Sequence, residues 1–313
     1  MSETNQSLKI IRESSGFRLA ILFGSFFIFL LLSSFFSLII DNLDLGSERT
    51  RILLSSSVQC ILAFCIPSII LARFSSNKWA EWLELTKIPK LRSIFGVVIV
   101  YILSLPAMEW LIEWNSNLHF TEKFSEIEST LRAWEESAEN TTKILLEANG
   151  WTSVLSGIII IGILTGFSEE LFFRGGLQGL LTRGGLNKNL CVWLAAMVFS
   201  MMHFQFFGFV PRLLMGAFFG YLLIWTRRIW VPVFAHILNN SVVVISAALS
   251  GDLESSIFSG ETTPIDLGNS FMVILSIVLT TLFLLFFKDI IFKAPTSKRI
   301  SWLKRTLHPI SER

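Results

Sequence analysis

Residues 156–174 read SGIIIIGILTGFSEELFFR. Ser156 to Phe167 carry no charge, and then Glu169, Glu170 and Arg174 fall within two helical turns. The apolar run suits lipid, where a charged side chain at mid-helix costs roughly 2.5–3.5 kcal/mol on insertion scales. Three such groups together therefore need partners inside the protein, and ionisable residues within membrane segments are functional candidates by default. His203 and His236, two of only four histidines, lie in other apolar segments.

The rest of the chain agrees with a membrane setting. It has 313 residues, of which 52% are hydrophobic and 16% charged, against about 25% charged in soluble domains. Eight apolar segments can be drawn, at about 19–40, 52–72, 93–114, 152–180, 189–207, 211–226, 229–249 and 269–287, close to the ~20 residues a spanning helix needs. The sixth reads as short and the fourth as long. The first reads as a retained anchor, since no small-x-small cleavage pattern follows it. The expected fold is all-α and polytopic. It has about eight transmembrane helices, with a conical or bundled core from helices four to seven. No internal repeat or linker appears, so residues 1–313 read as one integral membrane domain, with 152–249 as its core.

Lys and Arg collect in alternate loops. Arg73, Lys78, Lys87, Lys90 and Arg92 mark the second loop, Arg183 and Lys188 the fourth, and Arg227 and Arg228 the sixth. Both tails are basic, whereas loop three, about 115–150, holds seven Glu against three basic residues, and loop seven is acidic. Basic loops stay in the cytoplasm, so both termini are expected there, in a bacterial inner membrane. Loop three is expected to form one extramembrane helix, on which Ile127, Leu131 and Trp134 recur at helical spacing. The stretch KWAEWLELTK (78–87) reads as an interfacial helix. A net charge of +2 makes no case for nucleic acid. Cys60, Cys65 and Cys191 sit in apolar stretches and read as packing residues, and no CxxC or HExxH pattern occurs.

Residues four apart on a helix share a face. A salt bridge is therefore expected between Glu170 and Arg174. Glu169 points about 100° away, free to face a cavity. Phe199 and His203 share a face, as do His236 and Asn240. The set Glu169, His203, His236 and Asn240 holds what water-mediated peptide hydrolysis requires. A carboxylate takes a proton from water, a histidine orients the water or protonates the leaving amine, and an N–H stabilises the oxyanion. Glu169, His203 and His236 could instead hold a zinc ion with one position open for water. The three residues stand on three segments with no short ligand pair, so we favour the version without a cofactor. Depth is a difficulty, because His203 comes out about 21 Å along its segment at 1.5 Å per residue, out of register with Glu169 and His236.

The ordered motifs E-E-x-x-x-R (169–174), F-x-x-x-H (199–203) and H-x-x-x-N (236–240) resemble those of the CAAX prenyl protease 2 family. In bacteria this is the CPBP group of CAAX proteases and bacteriocin-processing enzymes, also called Abi. The resemblance covers about 165–245. It implies an intramembrane endopeptidase with a cavity open to the cytoplasm, acting on a membrane-associated peptide or protein. Glu169 would activate water with His203 as its partner, His236 and Asn240 would stand at the oxyanion, and Glu170, Arg174 and Phe199 would support them. Family members are described both as glutamate-dependent enzymes and as metalloproteases. The alternative from another class is a non-catalytic immunity or sorting protein that uses the same fold. A proton-coupled transporter would also place Glu and His in the membrane, but the repeated halves and paired broken helices of such proteins are not evident.

Overall fold

The computed structural model describes residues 14–147, 150–250 and 267–292. The acidic loop seven and most of both basic tails lie outside the described residues. Within them the chain is helical, with no strand. Nine helices can be named: α1 (Ser15–Asp41), α2 (Glu48–Ser75), α3 (Leu91–Ser116), α4 (Ser125–Leu146), α5 (Trp151–Arg183), α6 (Lys188–Met201), α7 (Phe209–Thr226), α8 (Trp230–Ser250) and α9 (Leu267–Ile291). Seven are long and apolar enough to cross a membrane, counting α7 with the turn that precedes it. α6, with 14 residues, is apolar but shorter. The chain is thus an all-α polytopic membrane protein. In hydrocarbon each backbone group must be satisfied within its own segment, which is why eight apolar stretches read directly as eight helices.

Local sequence sets the ends. The Ser14, Ser47 and Asn187 side chains accept backbone N–H groups at the starts of α1, α2 and α6, the usual service of an N-cap. α7 stops at Arg227, which takes a left-handed conformation (φ 54°) and turns the chain straight into α8.

Two expectations change. The short helix is the fifth segment, not the sixth. α6 stops at Met201, so His203 lies on a turn beyond its end, and a 3₁₀ turn, Phe206–Gly208, leads into α7. The stretch 78–87 forms only a one-turn helix, Trp79–Trp82. Trp82 and Leu83 are buried in the main core rather than lying on a surface. Arg183 explains the inward turn: its guanidinium donates to the Trp82 carbonyl at 2.6 Å and lies 4.4 Å from that indole's centre.

α5 is the central rod. Every residue from Leu171 to Gln178 is buried. Phe172 meets Phe26 of α1 and Phe64 of α2 edge-on or tilted, with ring centres 5.2 and 5.6 Å apart, and Phe173 meets Phe199 of α6 at 5.2 Å. Ile229 and Val233 close this cluster from the α8 side. Two π-helical stretches, Ile158–Leu164 and Leu171–Gln178, flank the short α-helical piece Thr165–Glu170. Such wide turns are frequent at functional sites. Here they rotate the carboxylates relative to the rest of the rod.

Loop three does form a helix, α4, outside the set of spanning helices. Its start is tied to the end of α3. Glu128 accepts the Phe120 N–H at 2.8 Å and Arg132 Nε at 2.9 Å, while Arg132 also donates to the Leu118 carbonyl. The Phe120 N–H first, and then the Arg132 guanidinium, pull the Glu128 carboxyl down to about 2.

Candidate active site

α5 delivers Glu169 and Glu170, α6 ends just before His203, and α8 delivers His236. The register difficulty disappears because α5 runs on to Arg183, so the segment from Glu169 to that end matches the length of α6. α5 and α6 then form a hairpin whose far ends bring Glu169 and His203 to one level. Both line the same cavity of about 220 Å³, with Gln59 and Cys60 of α2, Thr165 and Met202.

Behind that cavity lies a buried ion cluster. Glu170 and Arg174 are fully buried, and Arg174 Nη1 donates to Glu170 Oε1 at 2.8 Å. The same oxygen accepts His236 Nδ1–H at 2.9 Å. Arg174 Nη2 donates to the Gly216 carbonyl of α7 at 2.8 Å. Its guanidinium carbon lies 4.7 Å from the Phe199 ring centre and 5.4 Å from that of Phe219. The expected Glu170–Arg174 bridge is therefore present, and it also orients a histidine. With Nδ1 committed to Glu170, His236 turns Nε2 toward Glu169, whose Oε2 stands 3.8 Å away. Phe219 stacks on the His236 ring at 5.1 Å and Phe199 meets it edge-on at 5.9 Å.

His203 is fixed in a parallel way. A carbonyl can only accept, so the 2.8 Å contact between His203 Nδ1 and the Phe199 carbonyl puts the proton on Nδ1. The neutral ring then keeps a lone pair on Nε2. The Phe199 and His203 rings are 4.9 Å apart, so Phe199 touches both imidazoles and the guanidinium.

Asn240 is engaged elsewhere. Its amide donates to the Ile161 carbonyl of α5 at 3.0 Å, and its oxygen accepts from Asn239 at 3.2 Å. No contact brings it to Glu169. Among the described residues no three His, Cys, Asp or Glu side chains are grouped to hold a metal ion.

Some contributors carried no signal in the sequence. The Gly216 carbonyl and the Phe219 face are visible only once α7 packs across α5 and α8. Gly166 is another. A Cβ there would sit 3.2 Å from the Ile237 backbone nitrogen and 3.1 Å from its side chain, so glycine allows α5 to approach α8 one turn before Glu170. Gly166→Leu should force the helices apart and stretch the Glu170–His236 bond. Overpacking of this kind typically costs about 1–3 kcal/mol, to be read as a lower melting temperature in detergent. An unchanged melting curve would mean that the approach is not tight. A second and larger cavity, about 750 Å³, has Phe219 in its wall. Apolar residues of α3 and α7 line it, and Arg132, Glu135, Glu139 and Arg212 add charge to its wall.

Residues 151–242 match the family described as type II CAAX prenyl endopeptidase Rce1-like. This segment of the chain resembles that family. The matched segment contains Glu169, Glu170, Arg174, His203, His236 and Asn240, so the family whose resemblance the three motifs carry is the one that the comparison finds. Over 88 residues the chain is 33% identical to the protein YdiL of Bacillus subtilis (strain 168), covering 28% of this chain and 36% of that one. It is 30% identical over 117 residues to the membrane-embedded CAAX protease MroQ of Staphylococcus aureus (strain USA300), covering 36% of this chain and 46% of that one. YpbD of Bacillus subtilis (strain 168) is 32% identical over 89 residues, 27% of this chain and 42% of that one. The chain thus spans less than half the length of these curated relatives. No solved structure matches it.

Proposed function

We propose that the protein is an intramembrane endopeptidase that hydrolyses a membrane-associated peptide or protein with water activated by Glu169. The observation that carries this reading is the shared pocket of Glu169 and His203, with His236 Nε2 held 3.8 Å from the Glu169 carboxylate by Glu170. A water between these groups donates to Glu169 and to the His203 Nε2 lone pair. As its oxygen attacks the scissile carbonyl carbon, its proton passes to Glu169. The oxyanion is met by His236 Nε2–H when that ring carries both protons, its Nδ1–H held by Glu170. Collapse of the tetrahedral species breaks the C–N bond, the Glu169 proton goes to the leaving amine, and the carboxylate is regenerated. The second N–H of the Asn240 amide, beside the one donated to the Ile161 carbonyl, is the group it would offer an oxyanion. In its present bond it holds α8 against α5.

The Lys and Arg distribution supports both termini in the cytoplasm of a bacterial inner membrane, which puts α4 on the opposite face.

The test is hydrolysis of a membrane-associated reporter peptide by purified protein in lipid vesicles, in ¹⁸O-labelled water, with metal analysis and chelator treatment of the same sample. The expected result is one ¹⁸O in the new carboxylate, activity that survives chelation, and no stoichiometric metal. Activity lost to the chelator and restored by zinc would replace the carboxylate-only route with a metal-assisted one. No cleavage, together with a cellular phenotype that survives Glu169→Ala, would favour a non-catalytic immunity or sorting role.

A further inference from the structure

The turn that carries His203 is held from outside itself. α6 ends at Met201, and beyond it Phe204 takes a left-handed conformation (φ 53°). That is a strained choice for a bulky side chain, and such residues persist where their surroundings over-determine them. The surroundings are visible. Glu135 of α4 accepts Gln205 Nε2 on one carboxylate oxygen and the Phe207 N–H on the other, both at 3.1 Å. Arg212 of α7 donates to the Gln205 carbonyl at 3.1 Å and to its side-chain oxygen at 2.6 Å. Asn115 of α3 donates to the Phe206 carbonyl and accepts the Val210 N–H. Trp134, next to Glu135, meets Phe204 edge-on at 6.4 Å.

We propose that Glu135, on a helix outside the spanning set, is a positioning residue for His203, acting through Gln205 and Phe207. The backbone N–H of His203 donates to the Ser200 carbonyl, and its ring makes one hydrogen bond, Nδ1–H to the Phe199 carbonyl. That bond fixes the tautomer only while the main chain of 202–205 holds the ring in reach. The two oxygens of Glu135 pin the distal half of the same turn. Without them Gln205 and the Phe207 N–H lose their acceptors, Phe204 is freed to leave its strained conformation, and the imidazole swings off Phe199. This accounts for an acidic extramembrane helix that contributes no group to the pocket itself. The role in the reaction rests on the proposed function, whereas the role in placing the ring does not.

The test is therefore double. ¹⁵N-histidine labelling of the full chain in lipid nanodiscs gives few signals, since the sequence holds four histidines. The wild type should show His203 as the bonded Nδ1–H tautomer. Glu135→Ala should move the His203 signal to a mixture of tautomers and leave His236, on Glu170, in place. In the cleavage assay kcat should fall about 10²-fold, the scale of loss when a catalytic group is misplaced by an ångström, with KM little changed. Glu135→Gln, which keeps one accepting oxygen, should recover part of both readouts. Gln205→Leu removes the side-chain half of the link without touching α4 and leaves the Phe207 N–H on Glu135, so it should move the His203 signal in the same direction but less far, which keeps the test open if Glu135→Ala fails to fold. A folded Glu135→Ala protein with a wild-type His203 signal would overturn the proposal, and so would a shifted signal with unchanged kcat. The spectroscopic arm needs no substrate. Failure of the endopeptidase reading is seen separately, as a wild-type protein that cleaves nothing.

Discussion

Glu169→Gln lowers peptide cleavage by roughly 10²–10⁴-fold, the usual worth of a positioned general base, and leaves the melting temperature in detergent unchanged. The amide keeps the size and the hydrogen-bonding reach of the carboxylate but cannot take a proton from water. The fold should tolerate the change because Glu169 takes no part in the buried bridge, and its nearest ionic partner is His236 Nε2 at 3.8 Å. Glu170→Gln, one residue along, is the contrast. It removes the charge that balances a fully buried Arg174 and the carboxylate that holds His236 Nδ1, so it should lower stability and activity together. Single-turnover cleavage in vesicles and thermal unfolding of the same preparations measure both effects. Wild-type cleavage by Glu169→Gln would remove Glu169 from the mechanism. Equal destabilisation by the two variants would mean that the neighbouring carboxylates do not have separate roles.

Arg174→Ala destabilises the fold by about 3–5 kcal/mol, the scale seen when one partner of a buried ion pair is removed and the other is left uncompensated. Three things fail at once: the bond to Glu170, the bond to the Gly216 carbonyl, and the contact of the guanidinium with the Phe199 ring. The expected readouts are a sharp drop in folded yield and in melting temperature. Arg174→Lys should recover little, because an ammonium lacks the planar fork that serves Glu170 and Gly216 together. Joint replacement of Glu170 and Arg174 by methionine should cost less stability than either single change, since no charge stays buried alone. It should still abolish cleavage, because His236 loses the group that turns Nε2 toward Glu169. Normal yield and melting behaviour in Arg174→Ala would mean that the cluster is not a stabilising element.

The sequence by itself determined that this chain folds into apolar helices, and to within a few residues where most of them start and stop. A membrane segment must close its hydrogen bonds internally, so length and hydropathy are enough. The pairing of Glu170 with Arg174 was legible for the same local reason: it depends on helical spacing within one rod. What joins different rods was not legible. The motifs named Glu169, His203 and His236, yet only packing decided that Glu170 would grip His236 and that α7 would lend a carbonyl and a ring. Packing also committed the Asn240 amide to Ile161. The true end of α6 was hidden because Met202, Phe204, Phe206 and Phe207 carry apolar side chains on past it, interrupted only by His203 and Gln205. The stop there comes from Glu135, Arg212 and Asn115, three polar groups on three other helices. Patterns within a segment report its own hydrogen bonding and burial, whereas the position of a catalytic group depends on distances between segments that no local pattern encodes.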